Sequence, residues 1–170
     1  MQFLEYLQNL GISDWIVTSD FGYPIMLSIH SIGLAMVVGI TVMLDIRVLG
    51  FAPHLPISGF SRLAAYVKAG FIINAVSGAL LFMSNATQFV FNWPFMLKMA
   101  AVAVGMVAFL LMWRDLRLAD YTANNGEATL SERDITARVR AIAIISIGAW
   151  VVGIVAGRLI AYVLDAQNGI

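Results

Sequence analysis

His30, Lys98 and Arg158 are the residues whose chemistry and spacing ask for an explanation, because each falls inside a long apolar block of the chain. A neutral imidazole can bind a metal, and lysine and arginine hold anions. Measured from the helix ends that the charge pattern assigns to the outside, His30 follows Pro24, Lys98 follows Pro94 and Arg158 precedes Leu164 by one to two turns. At 1.5 Å per residue the three lie about 6–9 Å deep. They form one layer in the outer third of a membrane.

Each such group is costly in hydrocarbon, by a few kcal/mol or more, and three of them at one depth repel. No carboxylate falls in that layer, and Asp45 is predicted near the opposite surface. An anionic ligand would supply the missing charge. Haem b is one: the His30 imidazole would bind iron, and Lys98 and Arg158 would neutralise the propionates. Lys98 or a methionine would be the second axial ligand if there is one. Gly78 falls in the same layer and leaves room for a flat macrocycle, and Tyr162 lies one turn beyond Arg158 with a hydroxyl to offer. His54 is predicted on the other side and cannot share an iron with His30.

Two plainer or different chemistries use the same residues. The chain has nine methionines, and Met26 sits one turn before His30, with Met83, Met96 and Met99 also towards the outer side. Thioether and imidazole suit copper(I), although methionine is also ordinary packing material. With no cofactor at all, His30 would hydrogen-bond a neighbouring helix, Lys98 and Arg158 would extend to the head groups, and Arg158 would hold a lipid phosphate. The chain would then be a structural subunit of a larger membrane complex.

The elements that must position these residues are apolar helices. Of 170 residues 61% are hydrophobic, and the mean hydropathy is +0.87, well beyond a soluble domain. Four blocks are long enough to span a hydrocarbon core of about 30 Å. They predict transmembrane helices over about 24–46, 63–84, 94–114 and 141–164, with Pro24 and Pro94 near helix starts. Phe3, Leu4, Leu7 and Leu10 recur at helical spacing, which predicts an amphipathic interfacial helix over about 2–18, ended or loosened at Gly11. Asn124-Asn125-Gly126 signals a turn, and Ser131 with Asp134 resembles a capping box. The expectation is an all-α integral membrane four-helix bundle forming a single membrane domain.

Arg47, Arg62 and Lys68 lie between the first two helices, and Arg114, Arg117, Arg133, Arg138 and Arg140 between the last two. The amino-terminal segment, the 84–93 loop and the carboxyl-terminal tail have no Lys or Arg. The positive-inside rule then puts both basic loops in the cytoplasm and both termini outside. Asp45 and Arg47 close the first helix and read as a structural anchor, paired with each other or with the loop. The Ala35/Gly39 and Gly153/Gly157 pairs predict close helix contacts; in the cofactor-free reading the glycine faces would dock the larger complex, and a homo-oligomer is a further expected assembly. The formal net charge is zero, which gives no reason to expect nucleic acid as a partner. Membrane lipid and a redox partner are expected instead. The absence of cysteine removes disulfides, iron–sulfur clusters and thiolate metal sites, and nothing resembles a hydrolytic triad, phosphate loop or carboxylate pair.

The stretch His30-Ser-Ile-Gly33 followed by Asp45-Ile-Arg47-Val-Leu-Gly50 resembles a family of small bacterial four-helix membrane proteins to which no activity is assigned. So do Ser77-Gly-Ala-Leu-Leu-Phe82 with Ala86, Phe95-Met-Leu-Lys98, and Gly157-Arg-Leu-Ile-Ala-Tyr162. This resemblance covers about Pro24 to Tyr162. More distantly, a first-helix histidine and a third-helix lysine are similar to the copper-resistance D-type proteins and to the HemJ-type protoporphyrinogen oxidases, which bind haem. The resemblance implies roles for His30 and Lys98 there. Arg158 matches the nearer family alone.

Overall fold

The computed structural model describes residues 1–52, 60–124 and 137–168. His54 and the Ser131/Asp134 pair lie outside them. Among the described residues there are helices and no strand. The order is α1 (Gln2–Gln8), α2 (Gly11–Thr18), α3 (Gly22–Val48), α4 (Phe60–Ser84), α5 (Ala86–Val90), α6 (Trp93–Asn124) and α7 (Ala137–Asn168). Four of these, α3, α4, α6 and α7, are long and apolar enough to cross a membrane, which marks the chain as a multi-pass membrane protein.

Several boundaries differ from the sequence expectation. The amino-terminal amphipathic segment is two helices, and Gly11 opens the second one after an extended Leu10. Helix α3 starts at Gly22, so Pro24 sits inside its first turn, where a missing N–H leaves no helical bond unmade. The supposed 84–93 loop contains the short helix α5. Helix α6 starts at Trp93, with Asn92 Oδ1 accepting the Phe95 N–H at 3.2 Å, an N-cap that the hydropathy pattern does not reveal. It then continues to Asn124, because nothing before that residue breaks it. Helix α3 ends where Gly50 takes a φ of 92°. The Phe51 N–H bonds the Ile46 carbonyl and the Gly50 N–H bonds that of Arg47, the Schellman arrangement that needs a left-handed residue there.

The bundle is two tight pairs, α3 with α4 and α6 with α7, joined by α3 against α7, while α4 and α6 scarcely approach. Glycine sets the α3–α4 approach: a Cβ on Gly33 would lie 2.7 Å from the Asn74 backbone nitrogen, and one on Gly70 would lie 3.1 Å from the Gly33 oxygen. Gly153 and Gly157 do face α6, with ordinary van der Waals room over Ala101 and Lys98. The expected Ala35/Gly39 contact is absent: both are exposed, and nothing lies within 4 Å of a Gly39 Cβ. Spacing alone cannot say which side of a helix meets a neighbour.

The apolar core lies at one end of this bundle. Val37, Leu44 and Val48 of α3 meet Val67, Phe109, Met112, Val139, Ala143 and Trp150. At the other end α1 and α2 lie over α3, α4 and α5. Gly22 fits against the Trp15 and Ile16 backbone there, and Thr87 of α5 bonds Gln8 of α1 at 3.3 Å. The residues singled out for chemistry sit beneath that covered end.

Candidate functional site

His30 is held by α4. Its Nδ1 lies 3.0 Å from the Asn74 carbonyl oxygen and 3.1 Å from Ser77 Oγ. A carbonyl only accepts, and the Ser77 hydroxyl already donates to the Ile73 carbonyl at 2.6 Å, so Nδ1 carries the proton. Asn74 returns a second bond, donating from Nδ2 to the His30 carbonyl at 2.9 Å. One residue of α4 thus grips both the ring and the backbone of His30. The imidazole also lies against Gly78, where an added Cβ would come within 2.9 Å of Cε1.

With Nδ1 protonated, Nε2 keeps its lone pair and faces Lys98, whose Nζ lies 3.4 Å away. The Lys98 chain runs over Gly157 of α7, 3.7 to 3.9 Å from where a Cβ would be. Four helices therefore meet at one point: α3 supplies the ring, α4 its hydrogen bonds, α6 the amine and α7 the floor under it. Just past that point Phe82 of α4, Phe89 of α5 and Phe95 of α6 stack, with centroids 5.5 to 6.3 Å apart. Phe82 is one turn from Gly78 and Phe95 about one turn from Lys98. The aromatic trio closes the seam between α4 and α6 beside the polar pair.

Of the residues expected to share a site, His30, Lys98 and Gly78 converge. The space that Gly78 leaves is filled by the imidazole itself rather than left for a macrocycle. Arg158 is exposed, and Tyr162 is 70% exposed; both are at the bundle surface. Met96 and Met99 are also exposed, while Met26 and Met83 are half-buried. Among the described residues no three His, Cys, Asp or Glu side chains converge as a metal cage would require.

Asn74, Ser77 and the phenylalanine trio are the parts that depth counting on charged residues passed over. Asn74 was visible as the one amide in the α4 apolar block, a residue that must find a partner in lipid. An apolar groove of 310 Å³ between α6 and α7, lined by Val104, Val107, Leu111 and Ile145 among others, presents no polar wall and has no part in this site. Comparison with known proteins yields no match to any family model, curated protein or solved structure.

Proposed function

We propose that this chain binds a b-type haem or a related porphyrin at His30 and works in electron transfer, or in redox chemistry on a porphyrin or quinone-like molecule. One observation carries the reading. The His30 imidazole is fixed through Nδ1 by a backbone carbonyl, which leaves Nε2 as an oriented lone pair inside an apolar bundle. That is how a protein prepares a histidine for a metal. A single histidine is enough for haem, whereas a multi-ligand cage needs more donors than converge here.

Lys98 Nζ lies 3.4 Å from Nε2, the nitrogen that would hold the iron. The fit therefore requires Lys98 to swing away from Nε2, and its flexible four-carbon stem gives it reach towards a propionate. Arg158, exposed one residue beyond Gly157, is available for the second propionate or for a lipid phosphate. Bound haem would supply one-electron chemistry. The chain's own residues would orient the ring, exclude water with the aromatic trio and balance charge. The resemblance of His30 and Lys98 to the HemJ-type enzymes agrees with this. Under the positive-inside rule the site lies near the outer face of a bacterial inner membrane, with both termini outside. Copper held by His30 and Met26 is the alternative metal.

A second reading has its own observation: Nε2 already has a partner in Lys98, so the cluster would also serve as a helix clamp in a cofactor-free subunit. Absorption spectroscopy of protein purified from membranes separates them. A Soret band that disappears in His30→Ala supports haem. Protein that stays colourless after incubation with haemin overturns it, in favour of copper if copper(I) binds through His30, and of the clamp if no metal binds.

A further inference from the structure

At the opposite end of the bundle a second polar group is buried, and its bonds are left open. Asp45, Ser146 and Thr41 are 0% exposed and Trp150 2%. Thr41 and Asp45 are one turn apart on α3, and Ser146 and Trp150 one turn apart on α7. The Thr41 hydroxyl bonds the Val37 carbonyl at 2.8 Å. Neither Asp45 oxygen, nor Ser146 Oγ, nor Trp150 Nε1 has a hydrogen-bond partner. The Ser146 hydroxyl faces the Asp45 carboxyl without closing a bond. An unpaired carboxylate so placed costs several kcal/mol, so a positive charge belongs there.

The described cations do not provide it. Arg47 is two residues along α3, about 200° around the helix, and is engaged in an interaction of its own. Lys68 on α4 and Arg138 and Arg140 on α7 are exposed. Arg114 on α6 pairs with Asp115 at 3.4 Å. Of the two pairings expected for Asp45 and Arg47, the one with each other is not found, because residues two apart on a helix point apart; the 53–59 loop lies outside the described residues.

We propose that Asp45 and Ser146 form a binding site for one small monovalent cation, H⁺ or Na⁺, held between α3 and α7. A single positive charge balances the single carboxylate, which a divalent ion would not. A proton turns Asp45 into a donor towards Ser146 Oγ. A sodium ion takes the carboxylate oxygens, Ser146 Oγ and the lone pairs of Thr41, completed by water. The site is fifteen residues along α3 from His30, about 22 Å, and does not depend on what His30 binds.

Infrared spectroscopy of the whole protein in lipid nanodiscs, with and without Na⁺, tests it. In sodium-free neutral buffer a carboxylic acid C=O band is expected that is lost in Asp45→Asn, an isosteric change that spares the packing. If the ligand is the proton, Na⁺ leaves that band unchanged and Ser146→Ala shifts it. If it is sodium, Na⁺ removes the band and raises the unfolding temperature saturably, and Ser146→Ala weakens Na⁺ affinity about tenfold or more. An ionised Asp45 that responds to neither ion overturns the site. So does an ionised Asp45 whose carboxylate band moves in Arg62→Gln, since the counter-charge would then be the protein's own.

Discussion

The two ends of the bundle bury polar groups in opposite ways. At the His30 end every ring nitrogen has a partner, and Asn74 bonds across the α3–α4 seam in both directions. At the Asp45 end both Asp45 oxygens, Ser146 Oγ and Trp150 Nε1 have none, and yet that end holds the apolar core. A satisfied network ties helices together, whereas an orphaned one costs stability unless a ligand completes it. A closed hydrogen-bond network around His30 therefore faces an open one around Asp45 in one short bundle, although Asn92 Nδ2 at the His30 end also has no partner.

The comparison predicts stability changes that differ in sign. The largest loss is expected for Gly33→Ala, since its Cβ would meet the backbone of Asn74 at 2.7 Å and of Gly70 at 3.0 Å and no flexible side chain can yield. Overpacking of this kind costs about 1–3 kcal/mol, read as a lowered midpoint in detergent unfolding. An unchanged midpoint would mean that the α3–α4 contact is slack and the His30 end is not held as described.

Asn74→Leu and Asp45→Asn are the sharper pair. Asn74→Leu removes the bond to the His30 carbonyl and should cost about 1 kcal/mol, within the range for polar contacts between membrane helices. Asp45→Asn takes an ionisable group out of a site without partners and should be neutral or stabilising by a similar amount in the absence of added Na⁺. Thermal unfolding of both variants in one detergent reads the two signs. Equal losses would erase the distinction between the ends. The smallest effect belongs to Gly39→Ala, whose Cβ meets nothing within 4 Å: less than about 0.5 kcal/mol, in contrast to its glycine neighbour two turns away.

Composition and block length were enough to read four membrane helices, because a span of lipid imposes a length and an apolarity on any helix that crosses it. The depth of His30 and Lys98 was legible for the same reason, as distance along a helix is simple counting. The direction each side chain takes around the helix was not. That put Arg158 and Tyr162 at the surface, gave the space at Gly78 to an imidazole, and replaced Ala35/Gly39 with Gly33/Gly70 as the contact. The helix ends were hidden as well, since Asn92 and Gly50 act through local hydrogen bonds that hydropathy does not register.

The amino-acid sequence by itself determined that this is a set of four apolar helices with a histidine and a lysine near one end and an aspartate near the other, because hydrophobic length and position along the chain are one-dimensional quantities. Only the tertiary structure decided that Asn74 and Ser77 accept the Nδ1 proton of the His30 ring and so aim its Nε2 lone pair at Lys98, and that Asp45 faces Ser146 rather than Arg47. Those are matters of rotation and helix pairing, and for α3 and α4 they are settled by Gly33 and Gly70, which let the two backbones meet.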